Sequence, residues 1–191
     1  SACTISTAGY FTTNGAGTGV NTGAIDEEAC LSGYYSSSAG ATVCSQAQAG
    51  YIATDGNGNG IQSAAIAEEA CGPGTYSGAG AWGCIDATAG YYSSDSSSNS
   101  VNTAATTQTI CAPGHYSSTA ASVCSPADHG YYAVDANGDA LASPYQGAVA
   151  QTQVQSGYMA VDANGFSVNT AGVDESACLT GYYSAPGATE C

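Results

Sequence analysis

Nine cysteines are the residues through which this chain can do most chemistry, and their spacing predicts disulfide bonds. Two ladders of pairs fit the spacing. One begins with Cys3–Cys30 and ends with Cys124–Cys178, and its loops enclose 26 or 53 residues. The loops of the other enclose 12 or 13 residues, and this near-constant size favours it. Its pairs are Cys30–Cys44, Cys71–Cys84, Cys111–Cys124 and Cys178–Cys191. Cys3 is then left as a free thiol or for an intermolecular bond.

Acidic turns are the second candidate for chemistry, because carboxylate and amide oxygens bind calcium. Residues 55–60 begin like an EF-hand loop, but position twelve is Ile66, where that loop has glutamate. A different interpretation is that the acids accept hydrogen bonds from their own backbone in turns. The candidate calcium ligands are Asp55, Asn57, Asn59, Asp135 and Asp162. We predict no other metal and no cofactor.

Two further patterns are typical of cofactor or metal sites, and their context favours a structural role. Residues 78–83 match G-x-G-x-x-G, but they lie between two cysteines and no helix follows. His115 and His129 lie near Cys111 and Cys124 and are of the types that bind zinc. The equivalent cysteine pairs elsewhere in the chain lack histidine. We therefore predict no catalytic residue and no enzymatic activity.

The charge composition excludes several classes of partner. The chain has no lysine or arginine, 15 acidic residues and a net charge of −15. Binding of nucleic acid or of anionic membranes requires positive charge, so neither is expected. No apolar run approaches the roughly 18 residues that span a bilayer, so membrane insertion is not expected.

The positions of the cysteines reveal an internal repeat of about 40 residues. Cys3, Cys44, Cys84, Cys124 and Cys191 share one position of the repeat, and the other four cysteines share a second. The predicted repeats are residues 1–44, 45–84, 85–124 and 125–191. The last repeat contains a duplication of 27 residues, in which segment 130–138 recurs as 157–165.

Each repeat carries two Gly-Tyr signatures, and these predict two short hairpins. Segments 24–29 and 65–70 between the hairpins are predicted to form single helical turns. Because neighbouring strand residues face opposite sides, Tyr35, Tyr76, Tyr116 and Tyr183 are predicted to point inward. The predicted fold is mostly β and irregular: an elongated, disulfide-stapled tandem repeat that forms a solenoid-like rod.

A family resemblance rests on segment 71–84, which has the form C-x-x-G-x-Y-S-x-x-G-A-x-x-C, and on segments 30–44, 111–124 and 178–191. This form resembles the ephrin-receptor-like and tumour-necrosis-factor-receptor-like cysteine-rich repeats of extracellular proteins, which are abundant in protist and algal surface proteins. The resemblance covers about a third of the chain. It implies a disulfide between the two ends of each motif. Receptor function is not implied, because the additional cysteines of those repeats are absent here.

The expected function follows from the repeat and its ends. Cys3 and Cys191 share one position of the repeat, and neither end resembles the atypical cap that closes a repeat array. We expect a secreted, extracellular structural protein whose copies stack head to tail into a filament, with O-linked glycans on its abundant Ser and Thr. The alternative is a monomeric cell-surface adhesin or antigen that binds carbohydrate or calcium through Tyr and Asp-x-Asn-Gly loops.

Overall fold

The computed structural model describes residues 3–191, and in this range the chain is all-β, with sixteen short strands and no helix. The strands form eight two-stranded sheets. Their bounds are β1 Tyr10–Thr13, β2 Asp26–Ala29, β3 Tyr34–Tyr35, β4 Ser45–Gln46, β5 Tyr51–Thr54, β6 Ala67–Ala70, β7 Thr75–Tyr76, β8 Ile85–Asp86, β9 Tyr91–Ser94, β10 Thr107–Ile110, β11 His115–Tyr116, β12 Ser125–Pro126, β13 Tyr131–Val134, β14 Ala150–Gln153, β15 Tyr158–Val161 and β16 Asp174–Ala177.

The described residues divide into two compact units. Unit 1 comprises residues 3–85 and 101–107, and unit 2 comprises residues 86–100 and 108–191. Unit 1 contains the antiparallel pairs β1–β2, β3–β4 and β5–β6. Unit 2 contains the antiparallel pairs β11–β12, β13–β14 and β15–β16. The all-β hairpin prediction is confirmed, whereas the four repeat boundaries and the rod remain predictions.

The predicted helical turns are wrong. Segment 24–29 ends in β2, where Asp26 lies opposite Thr13, and segment 65–70 ends in β6, where Ala67 lies opposite Thr54. One isolated helical turn is unfavourable because several dihedral angles are ordered for few hydrogen bonds. Pairing with β1 or β5 satisfies the same backbone groups along a strand. The adjacent acids of these segments fit a strand whose outer face meets water.

Small side chains form most of the core, since neighbouring hairpins approach closely. In unit 1 the buried Ala47, Ala53 and Ala65 pack with the partly buried Tyr35 and Ile61. The close approach of the hairpins also explains why position 50 is glycine, because a Cβ there would overlap the carbonyl oxygen of Ala104. Unit 2 has larger core residues, and one of its clusters contains Tyr132, Val134, Val154 and Ala160.

Four disulfides staple the hairpins. The pairs are Cys30–Cys44 and Cys71–Cys84 in unit 1, and Cys111–Cys124 and Cys178–Cys191 in unit 2. Each pair has a Cα–Cα separation of 5.7 Å. These are the pairs of the short-loop ladder. Cys3 is free and exposed.

Candidate assembly interface

A backbone contact between hairpins recurs at corresponding positions of the sequence. The residue at the tip of one hairpin has a positive φ and donates its N–H to the carbonyl of a cysteine earlier in the chain. These bonds run from Ala64 to Cys30 (2.9 Å) and from Ala104 to Cys71 (2.9 Å) in unit 1, and from Gly147 to Cys111 (3.1 Å) in unit 2. Each of these cysteines therefore makes two contacts: its sulfur closes a disulfide, and its carbonyl accepts a hydrogen bond from the neighbouring hairpin.

A second contact lies beside the first and involves the tyrosine of the Gly-x-Tyr-Ser motif. The tyrosine forms a parallel bridge with an alanine, and the following serine donates its N–H to the carbonyl of that alanine. The bridges are Tyr35–Ala65, Tyr76–Ala105 and Tyr116–Ala148. The serine bonds are Ser36 to Ala65 (3.0 Å), Ser77 to Ala105 (3.1 Å) and Ser117 to Ala148 (3.1 Å). All three alanines are at most 1% exposed.

The fourth copy of this motif leaves the same groups open in unit 2. Tyr183 is 88% exposed, so the prediction that it points inward is wrong. The Cys178 carbonyl and the Ser184 N–H have no partner among the described residues. The physical reason is that no described segment takes the place that Ala65 or Ala148 takes beside the other motifs. We call Cys178 and residues 181–184 the C-terminal edge.

The complementary groups are open in unit 1. Ala24 occupies the repeat position of Ala65, but it is exposed. Neither the Gly23 N–H nor the Ala24 carbonyl has a partner among the described residues. Next to them, Ile25 is 79% exposed. We call residues 23–25 the N-terminal edge. Sequence reasoning missed this edge, although the recurrence of alanine at one repeat position was a usable signal.

The candidate calcium ligands lie in turns and are already hydrogen-bonded. In unit 1, Asp55 Oδ1 accepts the N–H groups of Asn57 (2.8 Å) and Asn59 (3.2 Å). In unit 2, Asp135 and Asp162 accept backbone N–H groups of their own turns in the same manner. Within residues 3–191, no three His, Cys, Asp or Glu side chains gather as a metal site. Calcium binding therefore remains a prediction, without support from these contacts.

These hydrogen bonds lower the pKa of each turn aspartate. For Asp55 the largest cause is the Asn59 side-chain amide, and for Asp135 it is the backbone N–H of Asp139. The pKa values of Asp95 and Asp162 are lowered for the same kind of reason. A lowered folded-state pKa stabilises the fold above the unfolded pKa of about 3.9, and the stabilisation is lost as the pH falls through the folded pKa.

Replacement of all four turn aspartates by asparagine is expected to remove this pH dependence. Asparagine keeps the acceptor, as Asn14 shows by accepting the N–H of Ala16 at 3.0 Å. We expect the wild type to melt at a higher temperature than the variant at pH 6, because a charged acceptor bonds more strongly. The difference should begin to shrink as the pH falls below about 4 and should vanish once the pH lies below the folded-state pKa values. Melting curves that differ by a constant amount from pH 2 to 7 would contradict this account.

Each unit also has an apolar groove on its surface. In unit 1 it is lined by Phe11, Leu31, Tyr34 and Val43. In unit 2 a groove at corresponding sequence positions is lined by Tyr92, Ile110, His115 and Val123. Aromatic side chains beside open apolar surface can stack on planar or cyclic ligands. These grooves are thus two places where the described chain offers a small-molecule surface.

Comparison with known proteins does not assign the chain to a family. No protein-family model matches the chain, and no curated protein has a similar sequence. The resemblance to the two receptor-like cysteine-rich repeats therefore remains a prediction from its motif. The described residues contain no helix that could cross a membrane. Several disulfides in one chain are typical of proteins that fold in an oxidising compartment.

Proposed function

We propose that this protein is an extracellular structural subunit whose copies polymerise head to tail into a filament. One observation carries the proposal: backbone groups that are paired between hairpins inside the units have no partner among the described residues at either edge, and the two sets of open groups are complementary. The C-terminal edge has an open acceptor at Cys178 and an open donor at Ser184. The N-terminal edge has an open donor at Gly23 and an open acceptor at Ala24.

The internal contacts specify the register of the junction. The Gly23 N–H of one copy donates to the Cys178 carbonyl of the next, as Ala64 donates to Cys30 at 2.9 Å. The Ser184 N–H donates to the Ala24 carbonyl, as its internal counterparts do to their alanines. Tyr183 then lies beside Ala24 and becomes covered. Because the two edges differ, the contact is heterologous, and repetition extends a chain of subunits.

The free energy that these contacts supply must exceed the cost of association. Burial of a large apolar side chain contributes about 1.5–3 kcal/mol, and each net hydrogen bond contributes about 1 kcal/mol. Association costs about 4–15 kcal/mol in lost rigid-body freedom. The edges alone therefore give a weak junction, and a stable filament needs further contact at the same place.

The exterior of such a filament is acidic and hydroxyl-rich. We propose that exposed Ser and Thr side chains carry O-linked glycans, which keeps neighbouring filaments hydrated and apart. The net charge of −15 without any Lys or Arg adds repulsion between copies. Salt at physiological concentration reduces the range of this repulsion to about 8 Å, so it favours both polymerisation and lateral contact.

Sedimentation and imaging of the purified chain test the function. We expect polymers whose length grows with protein concentration and with salt, and electron micrographs that show filaments of a constant width. Chemical deglycosylation of native material should leave the filaments intact and increase their lateral bundling. A chain that sediments as a monomer at all protein and salt concentrations would contradict the proposal.

A second candidate is a monomeric surface adhesin, and the repeated groove is the observation that favours it. Tyr34 and its counterpart His115 line equivalent grooves in units 1 and 2. A chain of this class would bind a carbohydrate without assembling. Titration of the monomer with oligosaccharides, followed by tyrosine fluorescence, distinguishes the two functions. Binding that Tyr34→Ala weakens, in a chain that never polymerises, would favour the adhesin.

A further inference from the structure

We propose that residues 4–6 of one copy add as a β-strand to residues 181–183 of the neighbouring copy, and thereby complete a hairpin that neither copy has alone. The proposal rests on head-to-tail polymerisation and names the contact that strengthens the junction. Addition of a strand to an open edge is a known mode of association, in which main-chain hydrogen bonds supply much of the affinity.

The paired strands inside the units show what residues 181–183 lack. β3 pairs with β4, with Tyr34 opposite Gln46 and Tyr35 opposite Ser45. The pair β11–β12 has the same register. One further bond closes each hairpin: the N–H of Ala47 donates to the Gly33 carbonyl (2.9 Å), and that of Ala127 donates to the Gly114 carbonyl (2.8 Å).

Residues 181–183 have the same motif without the partner strand. Tyr182 and Tyr183 belong to no strand, and they are 64% and 88% exposed. The Gly181 carbonyl accepts no hydrogen bond from the described residues, whereas the Gly33 carbonyl accepts one from Ala47. Half of a hairpin is therefore present at the C-terminal edge.

Residues 4–7 lack the other half of a hairpin: they are held like a partner strand, but no described segment pairs with them. Gly40 donates its N–H to the Ser6 carbonyl at 2.9 Å, as Gly80 does to Ala47 at 2.8 Å. Thr7 donates its N–H to Glu27 Oε2 at 3.2 Å, as Gln48 does to Glu68 at 2.9 Å. The segment is thus positioned before any partner arrives, which lowers the entropic cost of binding.

Ser6 adds an independent indication that a partner is missing. The residue is 3% exposed, and its hydroxyl has no hydrogen-bond partner among the described residues. Its N–H is also without a partner there, whereas the equivalent N–H of Ala47 is bonded to Gly33. Buried polar groups are nearly always hydrogen-bonded in folded proteins. A strand placed against this segment would satisfy the Ser6 N–H, and this backbone group, not the hydroxyl, is the one that indicates a missing strand.

The register of the added strand follows from the internal pairs. Thr4 lies opposite Tyr183, Ile5 lies opposite Tyr182, and the Ser6 N–H donates to the Gly181 carbonyl. Ile5 and Tyr182 are 65% and 64% exposed, so each covers apolar surface of the other. A second copy of this chain is the occupant that the observations favour, since it carries both halves of the hairpin.

The position of Cys3 allows this register to be tested by disulfide formation. Cys44 and Cys124 directly precede their partner strands, and Cys3 directly precedes residues 4–6 in the same way. The junction therefore brings Cys3 of one copy beside Cys178 of the other, where Cys191 stands in the free subunit. Cys191 gives way by exchange: the Cys3 thiolate attacks the Cys178 sulfur, and Cys191 leaves as a thiolate without any added oxidant. The Cα atoms of the equivalent pair, Cys30 and Cys44, are 5.7 Å apart.

Cys191→Ser tests the register, because it leaves Cys178 and Cys3 as the thiols available for pairing. After mild oxidation at polymerising concentration, we expect a ladder of covalent oligomers on a non-reducing gel, with a Cys3–Cys178 peptide in the digest. Cys124→Ser is the matched control. It also frees one cysteine of a pair, but Cys111 is fully buried and its hairpin already contains β12, so no ladder is expected.

A measurement on the wild type keeps the test independent of the variant's folding. Exchange of the Ser6 amide, followed in peptides that contain residues 4–8, should slow at least tenfold on polymerisation, because the Ser6 N–H becomes bonded. Unchanged exchange there in filaments, or a variant linked only through Cys3–Cys3, would overturn the strand pairing and leave head-to-tail assembly standing. Failure of both wild type and variant to form any polymer would overturn both.

Discussion

Substitution of alanine for Gly157 is expected to abolish polymerisation while the subunit stays folded. Glycines at the equivalent position approach a neighbouring hairpin so closely that a Cβ would overlap a carbonyl oxygen, that of Ala64 for Gly9 and that of Ala104 for Gly50. At Gly157 the position that a Cβ would occupy has no neighbouring atom within 4 Å. In the proposed junction the Gly23 carbonyl of the next copy fills this space, and the methyl group blocks it.

Gly138→Ala is the matched control for the effect on backbone conformation. Gly138 has a φ of +88° and Gly157 one of +84°, and both have open space where a Cβ would lie. Each substitution is therefore expected to destabilise the fold by about 1–2 kcal/mol, the cost of a left-handed conformation for alanine. Sedimentation should show monomers for Gly157→Ala and polymers for Gly138→Ala. Polymers of normal length from Gly157→Ala would exclude this junction.

Removal of one internal disulfide is expected to have the largest effect on the stability of the fold. The double variant Cys111→Ala/Cys124→Ala should lose about 3 kcal/mol from the entropy of a short closed loop. Cys111 is fully buried, so truncation of its side chain adds about 1 kcal/mol. Denaturant unfolding of the double variant beside the wild type measures the sum. The core of small residues gives the hairpins little other stabilisation.

The disulfide at the C-terminal edge provides the comparison. Cys178 is only half-buried, and the hairpin that follows it lacks a partner strand. Cys178→Ala/Cys191→Ala should therefore lose less stability than the internal double variant, by about 1 kcal/mol, although the two loops are of equal length. Equal losses in the monomer would show that burial of the sulfur contributes nothing beyond the loop.

The sequence allowed much of the local structure to be predicted. Gly-Tyr signatures at a fixed spacing predicted the hairpins, and the near-constant cysteine loops favoured the pairs that the structure contains. Asp-x-Asn-Gly predicted turns, and Asp135 accepts the N–H of Asn137 at 2.8 Å in such a turn. These features depend on a few neighbouring residues, which is why single-sequence reasoning reaches them.

The features that depend on contacts between hairpins were harder to predict. The acidic segments that became β2 and β6 have low strand propensity, and pairing with β1 and β5 overrode it. Alternation predicted a buried Tyr183, but burial also requires a neighbour such as Ala65, which no described residue supplies there. The open N-terminal edge at Gly23 and Ala24 was missed because a strand pattern does not say which backbone groups remain unpaired.

Electron cryomicroscopy of assembled material at residue resolution tests the central claim most directly. We expect every junction to repeat the internal geometry: the Gly23 nitrogen of one copy lies about 3 Å from the Cys178 carbonyl oxygen of the next, and Tyr183 is buried beside Ala24. Filaments in which Tyr183 stays open to solvent, or in which like edges of two copies meet, would contradict it.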